Sequence, residues 1–535
     1  MHAIEEIRRA FRNGEHERGY GLAHDAIEQG ARHPSLYYMR ALHRARREEY
    51  QEALADFEAA CALAPRDPVL LEATGHCLTM LGRCREAVEA FDSAIAVRPD
   101  FVRAHYRKGI ALGLLNEIDD MRAAHRRVVE LEPLNADALA SLAFIAARRG
   151  EAGEARTFGE RAAQITPRHN IAGVALAMAD IEESRYSAAQ ERLGDVLGDT
   201  AARQDGRLNM ALGFAADALD RHGRHPDAFH LYAEINVRRR QMHEARFAGD
   251  RAIEQVSKLV EATKHCEFPA AETPPGGKAG DPAGHIFLLG FVRSGTTLLE
   301  TVLASNPCVL ASDERDFLAN AANALLHGNE DLRQLAVLAP DGLAHWRTDY
   351  WNCVRGAGLP VEGKAFVDKV PLNSLRLPLI ARLFPNAGIV FAVRDPRDVV
   401  LSTFRHRFNM YPASFEFLGL EDCARFYAAV MQLVDAVRQK APWLPVCEIR
   451  YEDLVADFDR TIATVCAFVG IEWNETMRKF QNASAVIDRR SQSAAQVRCG
   501  LYGGAIGHWR HYAEQLAPVM PILAPWVGRF GYRQD

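Results

Sequence analysis

A chain of 535 residues, 48% hydrophobic and 25% charged, has an ordinary globular composition and the length for two to four domains with cores of their own. Its formal net charge of -6 argues against a nucleic-acid partner, so basic runs such as Arg44–Arg47 read as solvated helix faces. Ten cysteines with no Cys-x-x-Cys pair read as reduced thiols packed as small apolar residues, and the lack of a signal-like N-terminus or of a membrane-length apolar window gives the expectation of a cytoplasmic protein.

The N-terminal half repeats. Pro65, Pro99, Pro133 and Pro167 follow one another at 34 residues, each preceded two positions earlier by Leu63, Val97, Leu131 or Ile165. Small residues recur at Ala41, Gly75, Gly109, Ala143 and Ala177, where two helices must approach closely. Ala53, Ala87, Ala155 and Ala189 form a third column, broken by Met121. Such a unit is a helix pair that cannot bury its apolar face alone, so neighbours stack into a right-handed solenoid. The pattern resembles the tetratricopeptide repeat. After Gly198–Thr200 the phase slips, and Ala216 and Ala228 restore it five residues late, which predicts a longer loop over 199–207. A degenerate unit precedes Pro34 and a capping helix is expected to about Lys264, so residues 1–264 are assigned to the solenoid. Its groove would hold an extended peptide or another protein; a spacer or a homodimer surface is the other reading. His222, His225 and His230 lack a metal-ligand spacing and read as surface histidines.

Residues 265–284, rich in Pro, Gly and Ala, read as a linker. From 285 to 535 strand and helix patterns alternate: Ile286–Leu289, Leu298–Leu303, Ala365–Val367, Leu375–Phe384, Gly388–Val393, Val399–Phe408, Val446–Ile449 and Ile462–Val469. That order predicts an α/β domain with a mainly parallel sheet and its ligand at the carboxyl ends of the strands. The fold class is thus an all-α solenoid followed by a P-loop-like α/β domain.

Four stretches carry chemistry. In HIFLLGFVRSGTTLLE, residues 285–300, a strand, a tight loop and a helix N-terminus converge their backbone N–H groups and helix dipole on one point, suited to a phosphate or sulfate. The spacing resembles a nucleotide-triphosphate loop, but Thr296 replaces the expected lysine and Arg293 is the cation within it. In 393–402 a strand ends at Arg394 and a helix opens at Pro396, so that Arg394 and Ser402 can hold a second anionic group; Arg397 reads as an ordinary first-turn charge, and Asp398 is open to that reading too. Asp313 and Glu314 stand at a further strand end, where a carboxylate beside an anion suits a general base; a helix N-terminal acidic pair is the alternative. Lys369 ends another strand, placed to neutralise a leaving group.

Together these stretches resemble the sulfotransferases that use 3′-phosphoadenosine 5′-phosphosulfate (PAPS), most closely the tyrosylprotein sulfotransferases and bacterial tetratricopeptide fusions of that family. The similarity runs from about Gly284 to Pro518 through RSGTT at 293–297, FVDKVPLNSLRLPLIARLFPNA at 366–387, VRDPRDVVLS at 393–402, IRYEDLV at 449–455 and VGIEW at 469–473. The resemblance implies Arg293, Ser294, Gly295, Thr296 and Thr297 around the 5′-phosphosulfate, Arg394 and Ser402 on the 3′-phosphate, and Tyr451 near the nucleotide. It implies Glu314 as general base, Lys369 on the bridging oxygen as 3′,5′-ADP departs, and Ser493 assisting. Where the protein-tyrosine enzymes carry a basic residue four positions after the serine, this chain has His406 flanked by Arg405 and Arg407, and His508 replaces another basic position. Sulfuryl carries less negative charge than a γ-phosphoryl group, so a metal is not expected.

The acceptor expected from the resemblance is a protein or peptide tyrosine. A carbohydrate, lipid or small phenol acceptor, a P-loop-type kinase and a non-enzymatic scaffold with a relic domain are the competing readings.

Overall fold

Four of the ten repeat helices, those starting at Pro34, Pro68, Ala136 and Asn170, begin where the sequence supplies a capping side chain. Pro68 sits at such a start, and the Asp67 carboxylate accepts from Val69 N at 2.8 Å; Asn135 caps Ala136–Arg148 in the same manner. In the computed structural model the described residues are all but 1–4, 8, 11–12, 248, 250, 270–281, 327–328, 483–500, 502 and 535. Helices beginning at Pro34, Pro68, Val102, Ala136 and Asn170 alternate with helices beginning at Tyr50, Cys84, Ile118, Ala152 and Tyr186, each series keeping the 34-residue step. The alanine column at 53, 87, 155 and 189 is fully buried. This is the expected solenoid.

Two compact units divide the chain at Ala202/Arg203. The division falls before the predicted linker, of which residues 270–281 lie outside the described set. Its physical reason is the packing of three helices, α1 (Gly206–Arg221), α2 (His225–Phe247) and α3 (Ala252–His265), with the α/β region. Val256 and Val260 of α3 share one core with Phe291 and Tyr427. Asn236 Nδ2 donates to the carbonyl of Phe404 at 2.8 Å, and Arg251 Nε donates to the fully buried carboxylate of Glu416 at 3.0 Å.

The α/β region holds five parallel strands in the order β2-β3-β1-β4-β5. They span Gly284–Gly290 (β1), Val309–Ala311 (β2), Ala365–Lys369 (β3), Gly388–Val393 (β4) and Val446–Arg450 (β5). Both faces are covered, which accounts for the uninterrupted apolar run of β1: Phe287 and Leu289 enter one core, Ile286 and Leu288 the other. The central strand β1 pairs with β3 on one side and β4 on the other, with Leu288 opposite Lys369 and Gly290 opposite Ala392. The carboxyl ends of these three strands therefore share one edge, beside the point where strand order reverses.

The helix expected to open at Pro396 does so, but it ends at Arg405, before His406, rather than running to Phe408. The nine described cysteines are free thiols. No helix among the described residues is long and apolar enough to cross a membrane.

Candidate functional site

The β1 strand ends in a turn that only a residue tolerant of left-handed backbone can close. Gly295 has φ 95° and caps α4 (Thr296–Ala304); a Cβ there would stand 2.7 Å from Tyr451 Cδ2. Arg293 has φ 67°, and its Nε donates to Ser402 Oγ at 3.1 Å. Ser402 lies on α5 (Pro396–Arg405). From the end of β4, Arg394 donates to the carbonyls of Arg293 at 3.2 Å and Ala505 at 2.6 Å, and its guanidinium lies 5.2 Å over the Tyr451 ring. Arg293, Ser294, Gly295, Thr296, Arg394, Ser402 and Tyr451 are thus brought together by β1, β4, α5 and the short helix Tyr451–Ala456 that follows β5.

A cavity of about 350 Å³ opens beside Arg293, Arg394 and Ser402. Its wall carries five arginines (Arg221, Arg293, Arg394, Arg405, Arg407) against three carboxylates (Asp217, Asp220, Asp398), an excess of two positive charges that matches a phosphate dianion. Burial and the neighbouring Arg394 pull the Arg293 guanidinium down to about 10, so it remains a cation at neutral pH. His406 also lines the wall, but burial and the adjacent Arg293 and Arg407 hold its imidazole well below the ordinary range. The charged groups at the position of the family's basic residue are therefore Arg405 and Arg407, not His406.

A second cavity of about 510 Å³ lies on the other side of the Arg293 loop. Thr296, Thr297 and Glu314 line it together with the apolar surfaces of Val292, Pro371, Leu372, Phe408 and Tyr411. Lys369, at the tip of β3 and 2% exposed, donates from Nζ to Glu314 Oε1 at 2.6 Å and pairs with Glu300 Oε2 at 2.9 Å. Burial works against its charge, but the two carboxylates outweigh it and hold the ammonium above its ordinary value. Glu300, almost wholly enclosed on α4, is pushed up to about 7 by burial despite Lys369. Its other oxygen accepts from Asp313 N at 3.2 Å. That bond supports a rare backbone: Asp313 and Glu314 have φ 54° and 57°, and with Arg293 they are the non-glycine residues of the second unit with positive φ among the described residues. The pair lies in a turn after β2, not at a helix N-terminus.

Other expectations change. Arg397 is 1% exposed, clasped by Asp395 at 2.8 Å and stacked 3.8 Å over Trp509, and Asp398 accepts from Trp509 N at 2.8 Å. Neither is a solvated first-turn charge, because the C-terminal segment folds over this helix. His225 is no surface histidine: it lies 3.2 Å from Asp220 and stacks on His511 at 4.5 Å. Ser493 lies outside the described residues. Glu300, Tyr411 and the α1 residues Asp217, Asp220 and Arg221 were not singled out in the sequence. No group of three or more metal-ligating side chains occurs among the described residues.

Residues 285–475 match the sulfotransferase family, and residues 4–68 and 81–120 match the tetratricopeptide repeat. The C-terminal part is a sulfotransferase domain. An uncharacterized protein of Aquifex aeolicus is 24% identical over 417 residues, 74% of this chain but 51% of that protein, so the chain spans about half of that relative. Protein-tyrosine sulfotransferase 2 of Gallus gallus is 22% identical over 259 residues, covering 46% of this chain and 69% of the relative. A solved structure described as YrrB, a TPR protein with an unusual peptide-binding site, is 20% identical, covers 36% of this chain and 95% of its own, and superposes with a TM-score of 0.29. The sulfotransferase domain contains the Arg293 loop, Glu314, Lys369, Arg394 and Ser402 within the matched residues, whereas α1 lies before them.

Proposed function

We propose that this protein transfers a sulfuryl group from PAPS to an acceptor hydroxyl, that of a protein or peptide tyrosine. The observation that carries the reading is the common wall of the two cavities: Arg293 borders both the arginine-rich one and the one holding Glu314. A donor lying across that wall has one phosphate among the arginines and its phosphosulfate on the Ser294–Thr297 turn, where the N–H groups opening α4 and the dipole of that helix favour negative charge.

Glu314 takes the proton of the acceptor hydroxyl as its oxygen bonds to sulfur in line. The S–O bond to the 5′-phosphate breaks, and its electron pair leaves on 3′,5′-ADP. The Lys369 ammonium stabilises that developing charge. Because Lys369 is also paired with Glu300 at 2.9 Å, it stays anchored when Glu314 turns to the acceptor. Ser493 assists at the leaving group. The apolar and aromatic lining of the second cavity suits a phenol ring with its hydroxyl at Glu314. In the repeats, Tyr38, Arg98, Phe101, Arg103 and Tyr106 surround a cavity of about 690 Å³ that would hold part of an acceptor protein.

The donor reading is tested by melting the protein with nucleotides. At saturating 3′,5′-ADP the melting temperature should rise by about 3 °C, with no comparable shift from ATP and magnesium. A shift from ATP and magnesium alone would favour the kinase.

A further inference from the structure

The arginine-rich cavity is closed on one side by α1, a helix outside the matched sulfotransferase residues. Gly213, Asp217, Asp220 and Arg221 recur at helical spacing and so stand on one face of α1. Gly213 lets that face approach: a Cβ there would lie 2.5 Å from Arg407 Cδ. One turn on, Asp217 accepts from Arg407 Nη2 at 2.9 Å and from the Tyr232 hydroxyl at 2.7 Å. The next turn presents Asp220. One of its oxygens accepts from Arg405 Nη2 at 2.6 Å; the other faces His508 Nε2 at 3.1 Å and His225 Nδ1 at 3.2 Å, and accepts from the Tyr512 hydroxyl.

A bare carboxylate on the wall of an anion cavity would repel the anion. Here Asp220 and Asp217 are each engaged by an arginine that itself lines the cavity, Asp398 accepts from the backbone N–H groups of Gly507 and Trp509, and the arginines remain in excess. The carboxylates therefore cost little attraction and remove the rotamer freedom of long side chains before the ligand arrives. We propose that Asp220 and Asp217 are positioning residues of the donor site: they hold Arg405, His508 and Arg407 in the arrangement that grips a phosphate monoester on the nucleotide's ribose. The proposal rests on the donor reading above. It makes α1 part of the catalytic unit and a source of selectivity for a nucleotide that carries the second phosphate.

Calorimetric affinities of the full chain for 3′,5′-ADP and for 5′-AMP separate positioning from scaffolding. Asp220→Asn should weaken 3′,5′-ADP by about tenfold and 5′-AMP by less than about twofold, with Asp220→Glu recovering part of the loss. Asp217→Asn, which leaves the Asp220 cluster intact, should shift the same ratio in the same direction and serves if Asp220→Asn folds poorly. Equal weakening of both nucleotides, or 3′,5′-ADP affinity that is unchanged or raised, would overturn the positioning role. A wild-type chain that binds neither nucleotide would instead contradict the donor reading beneath it.

Discussion

Glu314→Gln is expected to lower turnover by about 10²–10⁴-fold while the affinity for 3′,5′-ADP stays within about twofold. The amide keeps the shape of the side chain and accepts from Lys369 Nζ as the carboxylate does at 2.6 Å, but it cannot take a proton from the acceptor. The loss should fall on kcat, because the group acts as the hydroxyl attacks and is about half exposed at rest, with 56% of its side chain accessible. The strained turn at φ 57° is set by the backbone and by the Glu300 bond to Asp313 N, so the substitution leaves the geometry in place. Single-turnover transfer measured beside nucleotide affinity checks this. Transfer within a few-fold of the wild type would remove Glu314 from the reaction.

Lys369→Ala is expected to abolish transfer and to destabilise the fold as well. Removing the ammonium leaves Glu300 enclosed without its counter-charge, a change that costs about 3–5 kcal/mol when a buried pair is broken on one side. The pH dependence follows from Glu300, whose carboxyl is raised from 4.5 to about 7. A group more readily protonated in the folded state favours folding at low pH, and that advantage is lost as pH rises from about 4.5 through 7. In Lys369→Ala the loss over this window should be larger, because the compensating charge is gone. Lys369→Met combined with Glu300→Gln removes both charges at similar volume. That double variant should recover most of the melting temperature without recovering turnover. Melting curves from pH 4.5 to 8 with parallel transfer assays separate the two effects; recovered turnover would deny Lys369 its role on the leaving group.

Much of this site was legible because its parts are local. The strand, turn and helix around Arg293 and Gly295 are contiguous, and the apolar run of β1 matches a strand covered on both faces. The repeats were legible for a similar reason: one step of 34 residues fixes ten helix starts. Glu300 was not legible, since within LLETVL it reads as an ordinary helix residue, and only the fold sets it against Lys369 at 2.9 Å. Asp220 was hidden by distance along the chain: it sits in the repeat-like half, while its partners Arg405 and His508 lie far downstream. Arg397 misled for a related reason, because the C-terminal segment carrying Trp509 buries what sequence alone shows as a first-turn charge. The loop has Thr296 where a nucleotide-triphosphate loop has its lysine, and the lysine of this site, Lys369, comes from a different strand.

The most direct test is transfer itself. The purified chain, given sulfur-labelled PAPS and fractions of host lysate without added metal, should release 3′,5′-ADP and place label on tyrosine in the protein fraction, and the Glu314→Gln variant should not. Absence of label in every fraction, together with phosphate transfer from ATP and magnesium, would contradict the account; label confined to lipid or glycan would contradict its choice of acceptor.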